Sequence, residues 1–229
     1  MTILSANLQA VLGRIEAAAR RVGRDPAAIA LLAVSKTWPA ADVREVAAAG
    51  QRAFGENYVQ EGVAKAGELA GLGLDWHFIG PLQSNKTKAV AETFAWVHSV
   101  DRLRIAQRLS EQRPEGLPPL QICLQVNVSD EASKSGVTPV EALELAPRIA
   151  GLPRLQLRGL MAIPAPTEDY DAQCIAFRRL HDVFDQLNAQ GLALDALSMG
   201  MSHDLEAAIA EGSTLVRVGT AIFGKRNYS

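Results

Sequence analysis

Eight short runs rich in Val, Ile and Leu alternate with longer amphipathic stretches, and this alternation limits the possible folds more than any other feature of the chain. Such an alternation is typical of repeated βα units around a parallel sheet. The predicted strands are residues 29–35, 51–55, 76–79, 96–99, 120–126, 155–162, 196–199 and 215–218.

The stretches between these runs place apolar residues three or four positions apart, which predicts helices. They are residues 40–49, 56–69, 102–112, 139–150, 170–189 and 203–211, and an additional helix, 4–22, precedes the first strand. Eight strands with intervening helices in about 200 residues predict a compact (β/α)8 TIM barrel, an α/β fold. A doubly wound open sheet is the alternative. No linker rich in Gly, Ser or Pro divides the chain, so we expect residues 1–229 to form a single domain.

The charge balance argues against two classes of partner. The chain has 23 Lys and Arg against 25 Asp and Glu, a net charge of −2. It therefore lacks the excess positive charge that sequence-independent binding to nucleic acid or an anionic membrane requires. Residues 1–10 do not resemble a secretory signal, and no apolar run is long enough to span a bilayer. We expect a cytoplasmic protein with neither partner.

Metal and disulfide chemistry have little support in the sequence. The four histidines never form a pair at i and i+4, and Cys123 and Cys174 have no partner at C-x-x-C spacing. Two cysteines are too few for a disulfide framework in a chain of 229 residues. A dedicated metal site is therefore not expected.

Two motifs match known catalytic signatures only in part. Residues 219–225 read G-T-A-I-F-G-K, but Arg226 stands where a P-loop needs Ser or Thr. Ser202, His203 and Asp204 are neighbours, and neighbouring residues cannot adopt the geometry of a catalytic triad. We instead expect Ser202 to cap the N-terminus of helix 203–211.

A lysine follows the first predicted strand. Lys36 comes directly after residues 29–35, and the carboxyl ends of barrel strands form the face where such barrels keep their active sites. Desolvation there would lower the pKa of its amine and allow Schiff-base chemistry. The alternative is a strand-end lysine that extends into solvent.

The loops after the last two strands are rich in small and hydroxyl residues, including Ser202, Gly219 and Thr220. In these barrels the same loops commonly bind phosphate, because glycine lets backbone amides approach the oxygens and hydroxyls add donors. A lysine opposite a phosphate cradle indicates an aldehyde that carries a phosphate. Pyridoxal 5′-phosphate (PLP) is the obvious candidate.

Several motifs carry a specific resemblance. They are A-V-S-K-T at 33–37, F-G-E-N-Y-V-Q-E at 54–61, W-H-F-I-G at 76–80, L-Q-S-N-K at 82–86, G-L-M at 159–161, S-M-G-M-S at 198–202 and V-R-V-G-T-A-I-F-G at 216–224. From about residue 30 onward the chain resembles the pyridoxal phosphate homeostasis proteins. The resemblance implies the fold type III barrel of the N-terminal domain of alanine racemase.

The resemblance also implies roles for six cofactor-binding residues. Lys36 would form the internal aldimine with PLP, and Asn57 would lie beside the ring. Arg217 would face the pyridine nitrogen. The phosphate would be held by Ser202, Gly219 and Thr220.

An arginine at the ring nitrogen has a chemical consequence. Arg217 is always charged and cannot accept the pyridinium proton, so the ring nitrogen stays unprotonated and is a weaker electron sink. This argues against efficient transamination or decarboxylation. The alternative role for Arg217 is a buried ion pair at the barrel rim.

The same resemblance separates a carrier from an enzyme. Alanine racemase takes its second base from a C-terminal domain, whereas this sequence stops at Ser229. We therefore expect a protein that stores, buffers or delivers PLP without turnover, as a monomer, with PLP-dependent apoenzymes as recipients. A PLP-dependent racemase with a one-base or water-assisted mechanism is the first alternative, and a class I aldolase acting through Lys36 is the second. Lys225 and Arg226 either guide the phosphate or form a solvated basic tail.

Overall fold

Eight parallel strands close into a barrel in the computed structural model, which describes residues 2–129 and 135–224. Each strand pairs with the next in sequence order, and the first pairs with the last. This confirms the predicted (β/α)8 barrel and excludes the open sheet. The strands are β1 (Ala30–Val34), β2 (Ala53–Glu56), β3 (Asp75–Phe78), β4 (Trp96–Val100), β5 (Leu120–Gln125), β6 (Leu155–Met161), β7 (Ala196–Ser198) and β8 (Leu215–Val218).

Helices surround the barrel, and α1 lies ahead of the first strand as predicted. They are α1 (Ile3–Arg21), α2 (Ala40–Ala48), α3 (Val59–Glu68), α4 (Thr87–Thr93), α5 (Leu103–Gln112), α6 (Pro139–Ala150), α7 (Tyr170–Ala189), α8 (Leu205–Ala210) and α9 (Thr220–Phe223). The predicted bounds of α6 and α7 are confirmed. The short helices α4 and α9 were not predicted, because a segment of one or two turns carries too little periodicity to be recognised.

Local chemistry fixes the start of α6. The side chain of Thr138 accepts from the backbone of Glu141, and the Glu141 carboxylate accepts from the backbone of Thr138, a complete capping box. Pro139 occupies the first turn, where backbone N–H groups have no acceptor within the helix, so the N–H that proline lacks costs no hydrogen bond.

The core lies in the layer between strands and helices, and the strands are buried on both faces. On β5, for example, Ile122, Cys123 and Leu124 are all fully buried. Gly159 on β6 permits the close approach of β7, because a Cβ atom there would lie 1.7 Å from the carbonyl oxygen of Ala196. In the ranges that the structure describes, no helix combines the length and apolarity needed to cross a bilayer.

Candidate functional site

A cavity of about 210 Å³ opens at the carboxyl ends of the strands. Its lining comes from residues of β1 and β8 and from the residues that follow β1, β2, β3, β6, β7 and β8. The structure brings all six predicted cofactor-binding residues to this one cavity: Lys36, Asn57, Ser202, Arg217, Gly219 and Thr220.

Lys36 lies two residues beyond the end of β1. The residue before it, Ser35, is buried, and Lys36 itself is half-buried. The lysine therefore stands where the buried strand gives way to the cavity, and not on an open surface.

Arg217 is buried on β8, and its guanidinium is held by oxygens of Ser198, the last residue of β7, and of Ala162, which follows β6. Nη1 donates to the carbonyl oxygen and the hydroxyl of Ser198, at 2.5 and 2.7 Å, and Nη2 donates to the carbonyl oxygen of Ala162 at 2.9 Å. Among the described residues no carboxylate lies within ion-pair distance of it, and Asp204 is a nearby acidic group that interacts with its charge. Burial lowers the pKa of Arg217 to about 10, which leaves it charged at neutral pH.

A polar chain continues from Arg217 through the inside of the barrel. The Ser198 hydroxyl is 2.8 Å from Nδ1 of His98, and Nε2 of His98 is 2.9 Å from Nδ1 of His77. Because Arg217 donates to Ser198, we assign the hydroxyl as the donor to His98, and His98 as the donor to His77. The His77 ring stacks on Trp96, with centroids 5.3 Å apart.

Both imidazoles of this chain are neutral at physiological pH. Burial lowers the pKa of His77 to about 3. Burial also lowers the pKa of His98, and electrostatic interactions with His77 and Arg217 lower it further. The chain is thus a directed series of donors that begins at the Arg217 guanidinium.

Gly219 lets the end of β8 lie against the end of β1. A Cβ atom at Gly219 would lie 3.1 Å from the carbonyl oxygen of Val34, closer than a side chain ordinarily packs. Gly219 is followed at once by Thr220, the first residue of α9, whose side chain is exposed to the cavity mouth. Glycine at this position therefore brings the predicted phosphate loop next to the residues that precede Lys36.

The loop after β7 differs from prediction in one respect. Helix α8 begins at Leu205 and not at residue 203, and no side chain caps it. The predicted N-cap role of Ser202 is therefore wrong. Asp204 turns back instead, and its Oδ1 accepts from the backbone N–H of Met201 at 2.5 Å. Ser202 is left as a residue of the cavity lining.

The N-terminal helix holds both loops in place. Nη2 of Arg14 donates to the carbonyl oxygen of Ser202 at 3.1 Å, and its guanidinium also contacts the Glu206 carboxylate on α8. Nδ2 of Asn7 donates to the carbonyl oxygen of Ile222 on α9 at 2.9 Å. The helix α1 is therefore a support for the candidate phosphate loops.

Asn57 follows β2 and carries an unsatisfied polar atom. Its side-chain oxygen is buried and has no hydrogen-bond partner among the residues that the structure describes. The backbone of Asn57 is packed so closely that a Cβ atom at Gly80 would lie 2.1 Å from its carbonyl oxygen. A buried amide oxygen without a partner is costly, so its place in the cavity lining indicates a polar ligand.

Seven residues of the lining were not predicted as site residues, and two of them, Trp38 and His203, have aromatic side chains. The Trp38 ring stacks on Phe223 of α9 with centroids 5.9 Å apart, which joins the loop after β1 to the loop after β8. The only sequence signal for Trp38 and His203 was proximity, since each lies within two residues of a predicted site residue. Lys225 and Arg226 lie outside the described residues.

Comparison with known proteins decides the family. The family model of the alanine racemase N-terminal domain matches residues 6–227. The pyridoxal phosphate homeostasis protein of Pseudomonas aeruginosa is 63% identical, over 100% of this chain and 98% of its own. The chain belongs to the pyridoxal phosphate homeostasis protein family.

A second relative and a solved structure agree with that assignment. The pyridoxal phosphate homeostasis protein of Escherichia coli is 57% identical, over 100% of this chain and 99% of its own. The structure of PipY from Synechococcus elongatus with PLP bound has a TM-score of 0.83 and 38% identity, over 96% of this chain and 100% of its own. The sequence resemblance and the barrel fold are both confirmed.

Proposed function

We propose that this chain binds PLP as a Schiff base on Lys36 and serves PLP homeostasis in the cytoplasm by storing, buffering or delivering the cofactor. The observation that carries the proposal is the convergence of all six predicted residues on one cavity. The membership of the family and the PLP bound by PipY support it.

The residues present fit the chemical groups of PLP. The amine of Lys36 matches the aldehyde, and the hydroxyls of Ser202 and Thr220 with the backbone of Gly219 match the phosphate. The unsatisfied amide oxygen of Asn57 supplies a polar contact beside the ring. When bound, PLP supplies an electrophilic aldehyde carbon and a pyridine ring that can withdraw electrons.

We assign Arg217 to the pyridine nitrogen. Its guanidinium is buried, charged and already held by Ser198 and Ala162, so it is a fixed donor that cannot take up a proton. A ring nitrogen that faces such a donor stays unprotonated and stabilises carbanions poorly. This supports a binding protein without turnover over a PLP-dependent enzyme.

One observation favours the racemase-like alternative. His203 lines the same cavity, and an imidazole is the side chain most often used as a general acid or base. A one-base mechanism could use it. The class I aldolase alternative gains no support from the family, whose named members are homeostasis proteins.

We also propose that residues 1–229 form a single PLP-binding domain and that the protein acts as a monomer. Every residue assigned to the cofactor comes from the one chain. PLP-dependent apoenzymes are the proposed recipients, because a PLP carrier without turnover needs an acceptor that uses the cofactor.

The test combines loading, trapping and an activity assay on one sample. Purified protein is incubated with PLP, its absorption spectrum is recorded, and borohydride reduction with mass spectrometry locates the modified lysine. Lys36→Ala should lose the adduct, whereas Lys88→Ala, which changes an exposed lysine on α4, should keep it. Racemisation of amino acids by the same sample, lost in His203→Gln, would establish the enzyme instead. Protein that cannot be loaded would exclude both.

A further inference from the structure

Three charged residues form a buried cluster beneath the loop that carries Lys36. The Lys65 ammonium, on α3, is 2.8 Å from Oε1 of Glu56 and 2.7 Å from Oε1 of Glu61. The side chains of Lys65 and Glu56 are only 7% and 0% exposed. None of the three is among the described residues that line the cavity, so any effect on a ligand must pass through other residues.

The cluster binds the chain on both sides of Lys36. Lys65 donates to the carbonyl oxygen of Ser35 at 2.7 Å, and the Ser35 hydroxyl donates to Oε1 of Glu56 at 2.7 Å. On the other side, the backbone N–H of Thr37 donates to Oε1 of Glu61 at 2.5 Å. The residues before and after the lysine are thus tied to one charged cluster.

Thr37 needs this support. Its φ angle is +69°, in the left-handed region, which β-branched residues rarely adopt. Backbone in such a region persists only where surrounding contacts hold it, and strain of this kind is concentrated at functional sites. The contact from Glu61 is made to the backbone of Thr37 itself.

A structural role alone accounts poorly for the cluster. A buried ion pair recovers its desolvation cost only partly, and apolar residues of similar volume often stabilise a fold equally well or better. The cost is evident at Glu56, where burial raises the pKa of the carboxyl and Oε2 is buried with no hydrogen-bond partner in the described part of the chain. The presence of charged groups here is explained by the hydrogen bonds that they make to Ser35 and Thr37.

We propose that Lys65, Glu56 and Glu61 are positioning residues that fix Ser35 and Thr37 and so set the direction from which the Lys36 amine meets the PLP aldehyde. The inference rests on the proposed function, in which Lys36 forms the Schiff base. Its specific content is that the cluster controls the covalent step, in which the Lys36 nitrogen bonds to the aldehyde carbon and the carbonyl oxygen leaves as water, whereas the residues that line the cavity control non-covalent affinity.

Glu61 is the residue to change. Its side chain is 25% exposed, whereas loss of Lys65 would leave the buried Glu56 without its cation. Glu61→Ala removes the acceptor for the Thr37 N–H, and Glu61→Gln keeps an oxygen in its place. Glu68→Ala, at an exposed position of the same helix, is the matched control.

Three measurements separate positioning from folding. The first is hydrogen exchange of the Thr37 amide in protein without PLP. The second is the rate of Schiff-base formation after mixing with PLP, followed by absorbance. The third is the affinity for a PLP analogue that has a methyl group in place of the aldehyde, which reports the non-covalent contacts to the ring and the phosphate.

We expect Glu61→Ala to speed Thr37 exchange and to slow Schiff-base formation about tenfold or more, because small displacements of a reacting group cost large factors in rate. Affinity for the methyl analogue should stay at the wild-type value. Glu61→Gln should restore most of the rate, and Glu68→Ala should match the wild type throughout.

Equal rates and equal Thr37 exchange in Glu61→Ala and the wild type would overturn the inference. A parallel loss of analogue affinity and rate would also overturn it, since the role would then be structural. Failure of the proposed function is distinct: no protein in the set, including the wild type, would form an adduct at Lys36. The exchange measurement would still decide whether Glu61 fixes the backbone at Thr37.

Discussion

The guanidinium of Arg217 donates to both the backbone carbonyl and the hydroxyl of Ser198. Two strands that are neighbours in the barrel therefore fix the orientation of one cation at the base of the cavity. The same hydroxyl contacts His98, so the arginine, the serine and two histidines form one connected unit. A substitution of any member should therefore change ligand binding in the cavity.

Ser198→Ala removes the hydroxyl that joins Arg217 to His98. We expect PLP affinity to fall about tenfold and the free energy of unfolding to fall by about 1–3 kcal/mol, because two buried polar groups lose a partner. Absorbance titration with PLP and urea denaturation measure the two effects. Ser213→Ala is the control, since the buried Ser213 hydroxyl bonds the Leu197 and Met199 carbonyls and should change stability alone. Unchanged PLP affinity in Ser198→Ala would argue against this role of the serine.

Thr220→Val tests the phosphate loop after β8. The exchange is nearly isosteric and the side chain is exposed, so stability should change little. Loss of a hydroxyl donor to a charged phosphate should weaken PLP binding by about 1.5–3 kcal/mol. Thr220→Ser keeps the hydroxyl and should bind PLP as the wild type does. If the valine and serine variants bind PLP equally well, the Thr220 hydroxyl has no contact with the phosphate.

Stability should fall as the pH is lowered below the pKa of an unfolded histidine. The pKa of His77 is about 3 in the folded protein against 6.5 for an unperturbed histidine, so between these values the unfolded chain binds a proton that the folded protein does not. Falling pH therefore favours unfolding. When the pH falls from 7 to 5, the decrease in the free energy of unfolding should be smaller by about 2 kcal/mol in His77→Gln than in the wild type.

Urea denaturation at the two pH values measures this difference. His77→Gln keeps a side-chain oxygen that can accept from His98, so the polar chain retains its next member. Parallel pH dependences in the two proteins would show that His77 is not held neutral by burial.

Two glycines should respond in opposite directions to alanine. Gly159→Ala places a methyl group 1.7 Å from the Ala196 carbonyl oxygen, so β6 and β7 cannot keep their spacing. We expect the free energy of unfolding of this variant to fall by more than about 4 kcal/mol, or the variant to give no soluble protein. Gly67→Ala, on α3, meets no atom within 4 Å and should gain about 1 kcal/mol from helix propensity. Thermal denaturation of both variants tests the pair, and a folded Gly159→Ala protein of normal stability would contradict the clash.

The barrel was predictable because its strands are buried on both faces and read as continuous apolar runs. The site followed from topology: residues after the ends of strands meet at one face, so Lys36 and Gly219 could be placed together before any contact was known. Helix α6 was predictable to the residue because Thr138 and Pro139 mark its start.

The features that were missed depend on register and not on local pattern. The contact between His77 and His98 joins residues 21 positions apart on adjacent strands, a separation that no motif encodes. The position of Lys65 could not be predicted for a related reason. A lysine on an amphipathic helix is expected in solvent, and only the fold shows that its ammonium donates to the carbonyl oxygen of Ser35. Ser202 was predicted to cap a helix, but in the turn before α8 it is Asp204 whose side chain accepts from the backbone N–H of Met201.

The pairing of β1 with β8 has a consequence for when the site exists. Lys36 follows β1, whereas Arg217, Gly219 and Thr220 belong to β8 or follow it, and the two strands lie side by side, with Ala33 opposite Val218. In the proposed site, the amine and the phosphate loop thus belong to the first and last strands of the barrel and meet where β1 pairs with β8. A chain still under synthesis that lacks β8 has the lysine but not the other three residues. On this proposal PLP can be bound only after β8 has docked, so incomplete chains should not bind the cofactor.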